Sequence, residues 1–228
     1  MRLAKPHLDL GMMCSDIDAS RAFYEGVLKL PYEELLKIGG GMHQHRLGLR
    51  GGVLKLNTVR GSLPEDEPTC LRGLDVVDPT VVAPVELAGP DGLRVRLVPP
   101  GFESVESIRV VWASSDPERL GRLLASGLDA RRTGNASWSV GSTMLTVVHD
   151  PTARHGIQRA VGFRYLTVQV FDVFGEHERL LSLGWSEGAA PIRLGDVAAI
   201  SFVRYPDGVW LEISQRASLT GALPTMPI

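Results

Sequence analysis

The chain has 228 residues, 44% apolar and 22% charged, with a net charge of −2 and two cysteines. That balance belongs to a globular protein with a substantial core, in one large or two small domains. It lacks the basic footprint of a nucleic-acid binder, an apolar run near the roughly 18 residues of a membrane span, and a signal-peptide core. The expectation is a cytoplasmic protein with reduced, structural thiols at Cys14 and Cys70 and no nucleic-acid or membrane partner.

Residues 7–14 alternate as a strand does. Leu8, Leu10, Met12 and Cys14 face one way; His7, Asp9, Gly11 and Met13 face the other. Ser15-Asp16 supplies a helix N-cap, and Ala19, Ala22, Phe23 and Val27 follow at helical spacing. Strands are predicted over 32–38, 42–49 and 53–57, split by Gly39-Gly-Gly41 and by Gly51-Gly52, a hairpin signal. After a polar connection with the acidic run Glu65-Asp-Glu67, residues 71–77, 85–88 and 93–98 read as strands with no useful helix among them. Gly89-Pro-Asp-Gly92 forms their hairpin.

Pro99-Pro-Gly-Phe-Glu103 reads as a boundary. A strand over 108–113 follows, then a helix opened by Asp116-Pro117, striped by Leu120, Leu123 and Leu124 and ended by Gly127. Strands over 129–133, 136–140 and 144–148 complete the third unit, and 149–160 is a polar linker. The last unit opens with the alternating run Phe163 to Asp172 and closes with Tyr205-Pro-Asp-Gly-Val-Trp-Leu-Glu-Ile-Ser-Gln215. A β-α-β-β-β order therefore recurs along the chain, and such a unit leaves one sheet face bare unless repeats stack.

Asp16, Ser20, Phe23 and Tyr24, in the pattern Asp-x-x-x-Ser-x-x-Phe-Tyr, resemble the first helix of the vicinal oxygen chelate superfamily, which includes glyoxalase I, bleomycin-resistance proteins and extradiol dioxygenases. Gly26-Val-Leu-Lys-Leu30 and Pro206-Asp-Gly208 with Glu212 are similar to further family signatures. The resemblance implies an α+β fold of tandem βαβββ modules, forming two curved sheets with helices outside and the second module truncated. The expected division is 1–101 (module 6–57 plus the helix-less 70–99), 104–216 (modules 107–150 and 163–215) and a tail, 217–228. The other pairing sets module one against module four.

The resemblance also implies where ligands sit. The first-strand position, seven residues before the helix-starting Asp, gives Asp9, Arg109 and Tyr165. The last-strand position, five residues after the turn Asp, gives Glu212 and Arg96, with Lys55 in the corresponding place of module one. Lys55 and the arginines depart from the carboxylate and imidazole set that a divalent metal takes. The expected cofactor is therefore none or a divalent metal, with His7, Asp9, His43 and Glu212 as candidate metal ligands if modules one and four pair. The expected function is lyase, isomerase or cyclase chemistry on a small oxygenated metabolite. In it Lys55 polarises an oxygen, Glu212, Asp9 or His7 moves a proton, and Tyr165 donates a hydrogen bond. Trp210, His43, His45, Arg109 and Arg96 are expected to contact the ligand. The alternatives are a non-catalytic binding or resistance protein and a metal-dependent glyoxalase- or dioxygenase-like enzyme. A homodimer is allowed.

Overall fold

The computed structural model describes residues 1–65, 67–221 and 223. Four units follow one another. The first holds β1 (Asp9–Met13), α1 (Ile17–Arg21), β2 (Tyr32–Gly39), β3 (Met42–Leu49) and β4 (Gly52–Thr58). The second has β5 (Leu71–Val77), β6 (Val85–Ala88) and β7 (Arg94–Val98), with only a short 3-10 turn between the last two. The third holds β8 (Ile108–Ser114), α2 (Pro117–Leu128), β9 (Arg131–Arg132), β10 (Ser137–Val140) and β11 (Thr143–His149). The fourth holds β12 (Gly162–Gln169), α3 (Val173–Ser182), β13 (Ser186–Leu194), β14 (Ala198–Arg204) and β15 (Trp210–Arg216). The expected tail begins as a helical turn, α4 (Ala217–Thr220); Asp66, Ala222 and residues 224–228 lie outside the described residues. Among the described residues no helix is long and apolar enough to cross a membrane.

The repeat is visible in its caps. Asp16, Asp116 and Asp172 each accept the backbone N–H three residues on, from Ala19, Arg119 and Gly175, at 2.9–3.0 Å, satisfying an otherwise orphaned donor. Two local expectations are corrected. After Arg21 the first helix widens into a π turn over Ala22–Val27, which rotates the buried face onto Ser20, Tyr24 and Leu28 and leaves Val27 exposed. The third unit's helix runs past Gly127 and stops at Asp129, in the left-handed conformation; Gly127 lies inside it, where a side chain would press on Leu180 and Trp185. The hairpin between β3 and β4 turns on Arg50 and Gly51, both at positive φ, one residue before the Gly51-Gly52 expected.

The strands form two sheets, ordered β13-β14-β15-β12-β1-β4-β3-β2 and β6-β7-β5-β8-β11-β10-β9. Their seams are the antiparallel pairs β1 with β12 and β5 with β8. Modules one and four thus share one curved sheet, and the inner two modules share the other. The cups expected within 1–101 and within 104–216 do not form; the other pairing does. Alternation says which side chains share a face, not which strand edges meet, and both seams join edges of the same pattern. The polar stretch after β4 carries the chain from one sheet to the other.

One continuous core joins the two sheets. Arg179 on α3 donates to the Ser126 carbonyl of α2 at 3.0 Å, and Trp112 meets Tyr205 edge to face, so Trp112 is core as its position beside Ile108 and Val110 implied. Cys14 and Cys70 are free and buried.

Candidate active site

The concave side of the first sheet encloses a cavity of about 680 Å³. Alternation assigns its floor: Gly11 and Met13 from β1, Lys55 and Asn57 from β4, Tyr165 and Gln169 from β12, and Glu212 and Ser214 from β15. Leu36, Met42, Ile200 and Phe202 supply apolar walls. Register brings the four family positions together. Gly11 lies between Tyr165 and Lys55, and Thr167 lies between Asp9 and Glu212. Lys55, Tyr165 and Glu212, drawn from both ends of the chain, therefore meet on one floor, with Asp9 beneath it, all less than a tenth exposed.

Lys55 Nζ donates to Glu212 Oε2 at 2.7 Å and to Thr167 Oγ1 at 2.8 Å, and Thr167 donates to the same carboxylate oxygen at 3.1 Å. Two of the three ammonium hydrogens are thereby used. Burial pushes the Lys55 ammonium below its usual pKa, with Glu212 and Asp9 opposing. Tyr165 lies over Gly11, where an added Cβ would come within 2.1 Å of Cζ. Its phenol pKa is raised well above 10.0, by burial first and then by the Glu212 charge, so it stays protonated. Asn57 Nδ2 donates to Tyr165 Oη at 3.1 Å, which leaves the phenol hydrogen free for a ligand.

Behind Asn57 runs a directed chain. Arg46 NH1 donates to Gln44 Oε1 at 3.2 Å, and Gln44 Nε2 to Asn57 Oδ1 at 2.9 Å. The chain begins on a cation and ends on the phenol, so each link polarises the next in the direction that makes Tyr165 the better donor. Asp9, by contrast, is sealed beneath the floor, accepting from Lys5 Nζ, Gln169 Nε2 and the Val53 backbone N–H, each at 2.9 Å. Burial alone would raise its pKa; Lys55 and Lys5 outweigh that, and the net shift is downward.

Several expected residues lie elsewhere. His7 precedes β1, shields Gly51 and hydrogen-bonds Ser142 of the other sheet, so it does not join Glu212. His43 and His45 alternate with the cup-lining Gln44 and Arg46 and sit on the opposite face of β3; His45 approaches the Tyr32 hydroxyl at 3.4 Å. Arg96 and Arg109 belong to the second sheet, where both bind Asp75, Arg96 through two bonds of 2.9 Å and Arg109 through Nε at 2.7 Å. Phe102 stacks near both guanidinium groups, and Asp75 and Arg96 line a separate cavity of about 810 Å³ on that sheet. Trp210 shares the face of Glu212 but stands at the end of the cup, edge to face with Phe202 and over Gly188. Of the lining residues missed, Asn57, Gln169 and Ser214 are one or two steps of alternation from Lys55, Tyr165 and Glu212, whereas Gln44 and Arg46 lie on the face of β3 opposite the two histidines singled out.

A divalent metal does not fit this set. One of the four positions is an ammonium, another a protonated phenol, and Asp9 is fully engaged. That leaves Glu212, whose Oε2 already holds Lys55, and a metal ion there would repel the ammonium at close range. Among the described residues no group of three or more His, Cys, Asp or Glu is placed to hold a metal.

No family model and no curated protein match this sequence. Solved structures do. Glyoxalase I from Zea mays superposes with a TM-score of 0.73 at 13% identity, over 94% of this chain and 92% of the maize chain. A Bacillus subtilis protein provisionally described as a dioxygenase gives 0.69 at 14% identity, over 94% and 86%. The cppA protein from Streptococcus pneumoniae gives 0.52 at 11% identity, over 92% and 97%.

Proposed function

From the fold of the vicinal oxygen chelate superfamily, which this chain has, we propose that the first cup is the active site of a metal-independent lyase or isomerase acting on a small oxygenated metabolite. The observation that carries the reading is the Lys55–Glu212 pair, 2.7 Å apart at the floor of an open cavity. The third Lys55 hydrogen and the Tyr165 hydroxyl converge on the cup as donors for one substrate oxygen. Among the described residues no donor reaches Glu212 Oε1, so it is the available base. It takes a proton from the carbon beside the substrate carbonyl. The C–H electron pair forms the carbon–carbon double bond, and the carbonyl pair moves onto the oxygen held by Lys55 and Tyr165. Returning the proton to another carbon isomerises the substrate; expelling a group from the neighbouring carbon makes the reaction an elimination.

The test is hydrogen exchange. In D2O, the wild-type protein is expected to catalyse deuterium incorporation beside the carbonyl of at least one compound in a pool of small ketones, aldehydes and oxo acids, read by mass spectrometry. Glu212→Gln and Lys55→Met should each slow it by about 10²–10⁴-fold, the usual worth of a positioned acid or base. Exchange that survives both substitutions, or none from the whole pool, goes against the reading.

A second reading, capture without chemistry, rests on the aromatic series that runs from the cup to Trp210 at its end. Tyr165 and Phe202 lie 5.7 Å apart, and Phe202 and Trp210 6.2 Å apart, which suits a planar ligand. Quenching of Trp210 fluorescence by a ligand that undergoes no exchange would favour it.

A further inference from the structure

The chain as a whole carries a net charge of −2, yet cations outnumber carboxylates around its cup, even with Arg193 paired to Asp196 at 2.7 Å. Lys37, Arg46, Lys55, Arg159, Arg193 and Arg216 line it, against the single carboxylate of Glu212. Three of these cations crowd the floor and its margin. Arg46 and Lys55 are direct cross-strand partners on β3 and β4, so their Cβ atoms are about 5 Å apart, an arrangement that like charges normally avoid. Burial, and then the nearby Arg216 charge, lower the pKa of the Arg46 guanidinium. The acidic groups here are shared out. Glu212 serves Lys55, and Glu34, at the margin, lies 3.1 Å from Arg46 and 3.2 Å from Arg216.

Arg46 is the member left incomplete. Only 6% of it is exposed, and its guanidinium has five donors in a planar fork. One of them, on NH1, is used by Gln44. Its Nε, though near Glu34, has no aligned acceptor. Its one carboxylate neighbour, Glu34, is shared with Arg216 and 41% exposed, so a buried guanidinium with unspent donors, beside a second cation and at the edge of an open cavity, can take a further anion of carboxylate shape.

We propose that the cup binds organic acids. The substrate's carboxylate docks on Arg46 with help from Arg216, and a second oxygen, two or three bonds away, reaches Lys55 and Tyr165. The apolar walls take the rest of the molecule. This rests on the proposed function for the role of the second oxygen, but the anion site stands on its own geometry. It also gives the chain from Arg46 through Gln44 and Asn57 a purpose: the group that recognises the acid is the one that polarises the Tyr165 hydroxyl.

The probe is salicylate, an aromatic acid with an oxygen at that spacing, and its control is the neutral salicylamide, with both affinities measured by calorimetry on the intact chain. Wild type is expected to bind salicylate at least tenfold more tightly than salicylamide and more weakly as salt rises. Arg46→Gln should abolish that preference while leaving the circular dichroism spectrum unchanged. Arg46→Lys, which keeps the charge but not the fork, should retain only part of it and guards against misfolding in the first variant. Glu212→Gln should still prefer the acid even where exchange activity is gone, which separates this inference from the catalytic one. Equal affinity for acid and amide, no salicylate binding at millimolar concentration, a preference that survives Arg46→Gln, or tighter binding of phenyl phosphate than of salicylate would each overturn it.

Discussion

His155 shows how a single side chain can hold distant parts of this chain together. Its Nδ1 accepts the Cys70 backbone N–H at 3.2 Å, so its Nε2 carries the hydrogen and donates to the Arg164 carbonyl at 2.9 Å. The backbone N–H of His155 binds the Asp207 carbonyl at 2.8 Å. The ring thus ties the start of β5 to strand β12, and it does so only when neutral, while the backbone beside it holds the turn before β15. Burial and then the Arg164 charge lower its pKa from 6.5 to about 4. Because the folded value is depressed, the contribution to stability is complete above pH 6.5. It is lost as pH falls towards 4, where the unfolded chain takes up a proton that the native ring refuses. The shift corresponds to about 3 kcal/mol at most. Urea midpoints for wild type and His155→Gln at pH 7.5, 5.5 and 4.5 check this: wild type should lose more stability than the variant over that range, and parallel curves would refute the lock. Nothing in the local sequence reveals the role, since 149–160 reads only as a polar linker. The same blindness explains His7 and His43. A histidine's chemistry is visible from sequence, but the partner that holds His7 lies 135 residues away, and the face His43 takes follows from which side of β3 turns to the cup.

At the level of elements, period two was a sound guide and helical period a weaker one. The β1 alternation placed Asp9, Gly11 and Met13 on the cup side, and the same step applied to β4, β12 and β15 yields Asn57, Thr167, Gln169 and Ser214. The stripe of the first helix slipped because a π turn inserts one extra residue per turn, which no count at 3.6 residues anticipates. Gly11 is the element-scale key to the site. The Tyr165 ring occupies the space its side chain would fill, with Cζ, Cε1 and Cε2 all within 2.4 Å of an added Cβ. Gly11→Ala should therefore displace the ring, break its bond to Asn57 and cost about 1–3 kcal/mol, the usual range for overpacking. In a double-mutant cycle by urea denaturation, Tyr165→Ala should absorb most of that cost, since the two residues compete for one volume. Strictly additive effects would mean that strand β1 tolerates a side chain there for another reason.

The whole molecule folds outside-in along its sequence, and that feature was the least legible. Four modules were readable from caps, alternation and turns, and three of the four expected positions, Lys55, Tyr165 and Glu212, line one cavity, with Asp9 beneath it. Their assignment to sheets was not, because each seam pairs strands separated by tens of residues or more: β1 with β12, and β5 with β8. Cutting at residue 101 therefore divides both sheets at their centres. Residues 1–101 would carry β1 with Leu8, Leu10 and Met12, all fully buried in the intact chain, beside an open edge. Residues 102–228 would carry the matching bare edges of β12 and β8. Unpaired edges of this length invite aggregation, and neither half retains a closed cup. Each fragment alone should lack a cooperative urea transition and bind a hydrophobic dye, whereas the two refolded together should regain a single transition and the salicylate preference of the intact chain. A fragment 1–101 that unfolds cooperatively by itself would mean that modules one and two pair after all, and that Lys55 and Glu212 are not brought together as described.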